Sequence, residues 1–334
     1  MHMVEVPTAR GDVIDSSQLG YTLMVENLFN LNTEVNLNWP ETLGDPDKRV
    51  DDVVTALENA RAHGVDTLVD RTIPGIGRNM QLIQQTAART KVNILVTTGF
   101  YTWRDLPLMF EFREAMKPFL EDKRSFEYYF TKDIEEGIGD TGVRAAILKV
   151  ATDKHGVTDG VRILLEATAR AHRRTGAPIG THTDGAATAL LQMEAFQKEG
   201  VDLSRVYFGH VCRTPGNGLE EIQKLIDAGA TVSFDMLSLA DQLGNRESRL
   251  NRVVELCRLG HADQILLSQD DQGFTDLTPE IDQKKRPRPF PLWCELAQDF
   301  LPRLRENGVT EEQINQMVVG NPRRIFESRA LGGY

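Results

Sequence analysis

One unit recurs along this chain, and it narrows the available folds more than any other feature. A helical stretch ends at a glycine, a short apolar run follows, and the run ends on a polar or titratable side chain. Gly64 leads to Thr67-Leu68-Val69-Asp70, Gly176 to Ile179-Gly180-Thr181-His182, and Gly200 to Val206-Tyr207-Phe208-Gly209-His210. Gly229 leads to Val232-Ser233-Phe234-Asp235, and Gly260 to Ile265-Leu266-Leu267-Ser268-Gln269-Asp270. Glycine suits the left-handed position that closes a helix. Short β-rich runs buried on both faces are what a parallel sheet requires.

Three further runs, at 21–26, 93–98 and 145–150, bring the set of strands to eight. Amphipathic helices fit between them. One begins at Asp45-Pro46-Asp47, an N-cap followed by proline at the first helical position, and runs to about Arg61. Another, at 158–174, places Val161, Leu164, Leu165, Thr168 and Ala169 on one face. Helices also fit 79–89, 125–136, 186–199, 219–228, 246–259 and 293–307. Eight strands alternating with helices predict an α/β fold, a closed (β/α)8 TIM barrel rather than an open sheet. The length of 334 residues suits one such domain over 1–334, with the barrel and C-terminal helices at about 20–326 and no linker. The Pro- and charge-rich stretch 275–291 follows the eighth strand. It reads equally well as a solvated loop or as a lid over the barrel mouth.

The net charge of −11 disfavours nucleic acid or an anionic membrane as a partner and leaves a small molecule as the expected one. Cys212, Cys257 and Cys294 are odd in number and widely spaced, so they form neither a disulfide framework nor a thiolate zinc site. The N-terminal MHMVEVPTAR lacks a signal-peptide pattern, and no run of about 18 apolar residues occurs. A cytoplasmic protein is expected.

Active sites of such barrels gather at the C-terminal ends of the strands. Those ends supply Lys149, His182, His210, Asp235 and Asp270. His182 and His210 each close an apolar strand and should face one cleft. His2, His63, His155, His172 and His261 fall in a tail, helices or loops and read as solvent-facing. A lysine inside a barrel mouth is unfavourable unless it is paired, neutralised or modified. Carboxylation by CO2 would turn Lys149 into an anionic oxygen ligand.

These residues carry a resemblance. Ile147-Leu148-Lys149, Thr181-His182-Thr183, Gly209-His210 and Ser268-Gln269-Asp270 look like the metal-ligand segments of the phosphotriesterase-like family of amidohydrolases. Thr98-Gly99-Phe100-Tyr101-Thr102 resembles the tyrosine-bearing strand-three loop of its lactonase-type members. Asn321-Pro322-Arg323-Arg324-Ile325-Phe326 resembles its C-terminal signature, so the likeness runs from about Gly20 to Phe326. The family implies an amidohydrolase-type barrel with a binuclear metal centre hydrolysing lactones, carboxylic esters or phosphotriesters. Met24-Val25-Glu26-Asn27-Leu28-Phe29 stands where the family carries His-x-His, and here both histidines are replaced, by Val25 and Asn27. The more buried ion should therefore be lost, while Lys149, His182 and His210 remain for the other. The loop Val211-Cys212-Arg213-Thr214-Pro215-Gly216 and the segment Phe234-Asp235-Met236 also depart from the family pattern.

The expectation is a divergent hydrolase of an ester, lactone or related bond. Lys149, His182 and His210 would hold one divalent metal ion, zinc being expected. Asp270 would be the general base, Lys149 a participant and Tyr101 an oxyanion donor. Val25, Asn27, Tyr101, Arg213 and Asp235 would contact substrate. Two alternatives stand beside it: a metal-free hydrolase or lyase using Lys149, Asp270 and the two histidines, and a non-catalytic ligand-binding protein. A homodimer is what the resemblance suggests.

Overall fold

The computed structural model describes residues 4–116, 125–214, 218–237, 246–276 and 290–334. Two short strands, β1 (Glu5–Pro7) and β2 (Val13–Asp15), form an antiparallel hairpin ahead of the barrel that the sequence pattern did not signal. Then β3 (Thr22–Asn30), β4 (Thr67–Asp70), β5 (Asn93–Phe100), β6 (Ile147–Thr152), β7 (Ile179–Thr183), β8 (Val206–Phe208) and β9 (Thr231–Phe234) pair in parallel, each with the next. The eighth strand is in two pieces. β10 (Ile265–Leu267) pairs with β9, and β11 (Gln272–Thr275) pairs with β3, which closes the ring. The barrel expected from the repeated unit is present.

Helix ends follow the local chemistry. The helix Pro46–Ala62 starts at Asp45, whose side chain accepts from the Asp47 N–H. The helix Asp159–Thr175 starts at Thr158 and ends at Gly176, left-handed at φ 71°. Of the stretch 275–291, residues 277–289 lie outside the described residues, so the lid expectation falls there.

The barrel interior has two layers. Its floor is apolar: Leu19, Met24, Val25, Val69, Leu95, Ile147, Tyr207 and Leu266 pack with Val6, Ile325 and Phe326. Asn321 fastens the C-terminal helix Asn321–Glu327 to the barrel. Its side-chain amide donates to the carbonyls of Ala262 (2.8 Å) and Ile265 (2.6 Å) at the start of β10. Above the floor lie the polar strand ends.

The break in the eighth strand corrects the expectation of an unbroken run to Asp270, and its cause is Glu26. This fully buried carboxylate leaves β3 towards residues 268–271. It accepts from Ser268 Oγ (2.7 Å), Gln269 N–H (2.8 Å) and Asp271 N–H (2.7 Å). Two backbone donors that a regular strand would pair with a neighbour are thus satisfied by a side chain. The same contacts turn Asp270 inward, with its own N–H on the Val25 carbonyl at 2.9 Å. The first strand also runs longer than expected, to Asn30, with a register shift between Leu23 and Glu26. Leaving a buried donor without a partner costs about 1–3 kcal/mol. Replacing Glu26 with alanine strands three donors and should cost at least about 3 kcal/mol, while glutamine, able to accept on one atom only, should cost less. Urea denaturation of both variants checks this, and an alanine variant as stable as the parent would remove Glu26 from the account.

Candidate active site

Six of the barrel strands place a functional group at or near their C-terminal ends. Tyr101 follows β5, Lys149 lies on β6, His182 on β7, His210 just past β8, Asp235 directly after β9, and Asp270 between the two pieces of the eighth strand. His210 and Asp270 hold left-handed φ angles of 60° and 54°. Non-glycine residues in that region carry a cost of about 1–3 kcal/mol and collect at functional sites.

The two imidazoles are each braced by a carboxylate. His210 Nδ1 stands 2.6 Å from Asp235 Oδ1, and its backbone N–H donates to Asp235 Oδ2 at 3.1 Å. His182 Nε2 stands 2.9 Å from Asp153 Oδ2. A ring N–H donated to a carboxylate fixes the tautomer and leaves the other nitrogen as a lone pair. The neutral rings therefore present His182 Nδ1 and His210 Nε2, with centroids 4.5 Å apart and planes at 77°. Burial, then the neighbouring His210, pushes the His182 imidazole down to about 3. Its hydrogen bond pulls the Asp153 carboxyl to about 2. Burial would also lower His210, but Asp235 and Asp270 prevail and raise it.

Lys149 is buried, and its Nζ donates to the Arg71 carbonyl at 2.7 Å and lies 5.1 Å from the Tyr101 ring centroid. Burial, reinforced by the Arg71 guanidinium, pushes its amine down to about 7. Burial pushes the Asp270 carboxyl up to about 6. Asp270 Oδ2 is 4.0 Å from His210 Nδ1, and its Oδ1 accepts from Asn27 Nδ2 at 3.3 Å. The Tyr101 hydroxyl sits 3.3 Å from His182 Nδ1 and accepts from Trp103 Nε1 at 2.8 Å. Burial raises the phenol, so it stays a donor.

The structure brings Lys149, His182, His210, Asp270, Tyr101 and Asn27 to one mouth, as the strand ends implied. Two substrate contacts expected from sequence are corrected. Asp235 has no exposure, and its oxygens are taken by His210 and by Ser233 Oγ at 2.9 Å, so it orients His210. Val25 packs in the apolar floor beneath the mouth. Arg213 lies at the rim, 2.5 Å from Asp184 and 3.6 Å from Asp153.

Three groups escaped the sequence reading: Asp153, Trp103 and Arg71. Asp153 follows the β6 strand end, four residues after Lys149, and so carries the same signal as the residues that were found. Arg71 follows Asp70 at the end of β4, a strand end that was recognised and passed over. Trp103 lies in a loop and had no such signal.

Metal-binding capacity divides the mouth in two. Among the described residues, no three His, Cys, Asp or Glu side chains gather closely enough to hold an ion alone. The outer half offers two braced imidazole nitrogens with Lys149 beside them, a donor set that fits one ion. Carboxylate-braced histidine is the usual arrangement around a metal. The inner half does not fit a second ion: Val25 has no lone pair, Asn27 turns its amide N–H towards Asp270, and the Arg71 guanidinium is buried there.

Comparison with known proteins agrees with this architecture. The phosphotriesterase family model matches residues 4–326. A phosphotriesterase homology protein of Mycobacterium tuberculosis is 43% identical over 99% of this chain and 100% of its own length. An aryldialkylphosphatase of Saccharolobus solfataricus is 31% identical over 97% of this chain and 100% of its own. A human N-acetyltaurine hydrolase is 25% identical over 79% of this chain and 74% of its own. The solved structure of the phosphotriesterase from Mycobacterium tuberculosis superposes with a TM-score of 0.90 at 41% identity, covering 99% of this chain and 100% of that one. A braced histidine pair at the mouth of a (β/α)8 barrel, matched over nearly its full length by this family, makes the chain a member of the phosphotriesterase family.

Proposed function

We propose that this chain is a hydrolase of carboxylic esters or lactones that works with a single divalent metal ion, zinc being the natural choice, held by His182 Nδ1, His210 Nε2 and a carboxylated Lys149. The observation that carries the proposal is the pair of carboxylate-braced imidazoles, with the Tyr101 hydroxyl 3.3 Å from His182 Nδ1. Relatives named for hydrolysing a phosphotriester and an N-acyl amine support a hydrolase and leave the bond open. When bound, such an ion would supply Lewis acidity to the substrate carbonyl oxygen and acidify a water.

The remaining chemistry belongs to the chain. Asp270 accepts the proton of the attacking water on a carboxylate oxygen and returns it to the leaving alkoxide as the acyl carbon–oxygen bond breaks. Its carboxyl, pushed up to about 6 by burial, suits a base working near neutrality. Asn27 holds that carboxylate from the other side. The Tyr101 hydroxyl, polarised by the Trp103 N–H on its oxygen, donates to the oxyanion that develops on the substrate. Asp235 and Asp153 hold the two rings in the tautomers that this requires. Arg213 at the rim offers a cation to a polar substrate group.

One observation favours a second reading, hydrolysis without metal. The Lys149 amine is pushed down to about 7 beside a buried guanidinium, so an unmodified neutral amine is available as nucleophile or base. Chelation separates the two. Under the metal reading, elemental analysis of the purified protein gives about one ion per chain, and dialysis against dipicolinate removes ester or lactone turnover until zinc is restored. Turnover that persists in metal-free protein and vanishes in Lys149→Met would transfer the function to the amine.

Two substitutions test the assigned roles. Asp270→Asn should leave the fold intact and lower kcat by about a hundredfold or more, as loss of a placed base does; an unchanged kcat excludes it from the proton transfer. Asp235→Asn should weaken zinc affinity by about 10–100-fold through loss of the His210 brace. Equal zinc affinity in a competition titration would leave Asp235 a packing residue.

A further inference from the structure

Arg71 is a full positive charge sealed inside the barrel at 1% exposure. Its backbone lies on the β4 side, and its side chain crosses to β7, where Nη2 donates to the Gly180 carbonyl at 2.6 Å. The guanidinium lies 5.3 Å from the Tyr207 ring centroid. Tyr207 in turn occupies the space that a side chain at Gly180 would need, since a Cβ there would come within 2.3 Å of the ring. The other nitrogen, Nη1, is buried with no hydrogen-bond partner. Among the described residues no carboxylate oxygen lies within hydrogen-bonding or ion-pairing distance of the guanidinium. The carboxylates that act on it through space are Asp270, Asp235 and Asp70.

Such an arrangement is unlike a structural ion pair, in which the fork meets a carboxylate directly. It resembles a fixed counter-charge set between the apolar floor and the polar mouth. Two buried carboxylates, Asp70 and Asp235, and the half-buried Asp270 favour a positive charge nearby, and a guanidinium supplies one that cannot be deprotonated or dialysed away. Two side chains beside it agree. Asn27 turns its amide N–H towards Asp270 and leaves its Oδ1 buried without a partner, and Val25 offers no donor atom.

We propose that Arg71 is the resident inner cation of this site: its guanidinium balances Asp270 and Asp235 from inside the barrel and keeps a second divalent ion out. Arg71 is thus a positioning residue, acting through the carboxylates it faces. The proposal rests on the single-ion reading above for the outer site alone.

The test counts metal ions in variants loaded with cobalt and desalted, with thermal midpoints measured with and without cobalt. Arg71→Met should be destabilised in metal-free buffer and should gain more midpoint on adding cobalt than the parent does. Arg71→Lys keeps a charge and should behave like the parent in both respects. In the background of Val25→His plus Asn27→His, retention of Arg71 should hold cobalt near the parental count, and adding Arg71→Met should raise the count by about one ion per chain. If Val25→His plus Asn27→His alone gains the extra ion, Arg71 excludes nothing and the proposal is overturned. It is equally overturned if Arg71→Met is rescued neither by cobalt nor by the lysine variant, because Arg71 is then a packing element. A parent that binds no cobalt removes the single-ion reading but leaves the difference between variants, and so the role of Arg71, open to the same measurement.

Discussion

The balance of buried charge at the barrel mouth governs this structure. Asp70, Asp235 and Glu26 are withdrawn from water within one end of one barrel, and Asp270 is half-buried beside them. An isolated buried carboxylate is too costly to remain ionised, so partners gather on each, although Asp70 Oδ2 stays buried without a hydrogen bond. Asp235 is matched by the His210 ring and backbone and by Ser233. Asp70 accepts from the Leu28 N–H at 3.1 Å and from the Thr72 hydroxyl at 2.7 Å. Glu26 is matched by the donors of the broken eighth strand, which in turn aims Asp270. Asp270 accepts from the Asn27 amide at 3.3 Å and lies 4.0 Å from His210 Nδ1, a looser set of contacts than those of Glu26 and Asp235.

Much of this was legible in the sequence because the barrel places function at strand ends and strand ends have a signature. A glycine-terminated helix followed by a short apolar run marks His182, His210, Asp235 and Asp270, and Lys149 lies in the further run 145–150. Elements that depend on contacts between distant residues were not legible. The β1–β2 hairpin has strands of three residues each, of unremarkable composition, and is held against the barrel base by Val6. The split of the eighth strand depends on Glu26, more than 240 residues earlier in the chain. Asp235 illustrates the limit from the other side: its strand-end position was read correctly, but only the hydrogen bonds show that its carboxylate serves His210. Arg71 was missed because an arginine after a strand usually reaches solvent, and nothing local indicates that this one crosses the interior.

The relation to the family follows from the same balance. Membership fixes the scaffold and the hydrolytic class. The outer half of the mouth, with His182 and His210 braced by Asp153 and Asp235, keeps a donor set suited to one ion. The inner half has Val25, Asn27 and Arg71, a set with one amide, one alkyl group and one permanent cation. The proposed single-ion hydrolysis rests on that division of the mouth.

The most direct measurement is a crystal structure of cobalt-loaded protein with anomalous scattering recorded at the cobalt edge. The account predicts one anomalous peak, within coordinating distance of His182 Nδ1 and His210 Nε2, and continuous guanidinium density for Arg71 beneath it. A second peak beside Asn27 and Asp270, or a single peak there and none at the histidine pair, would contradict it.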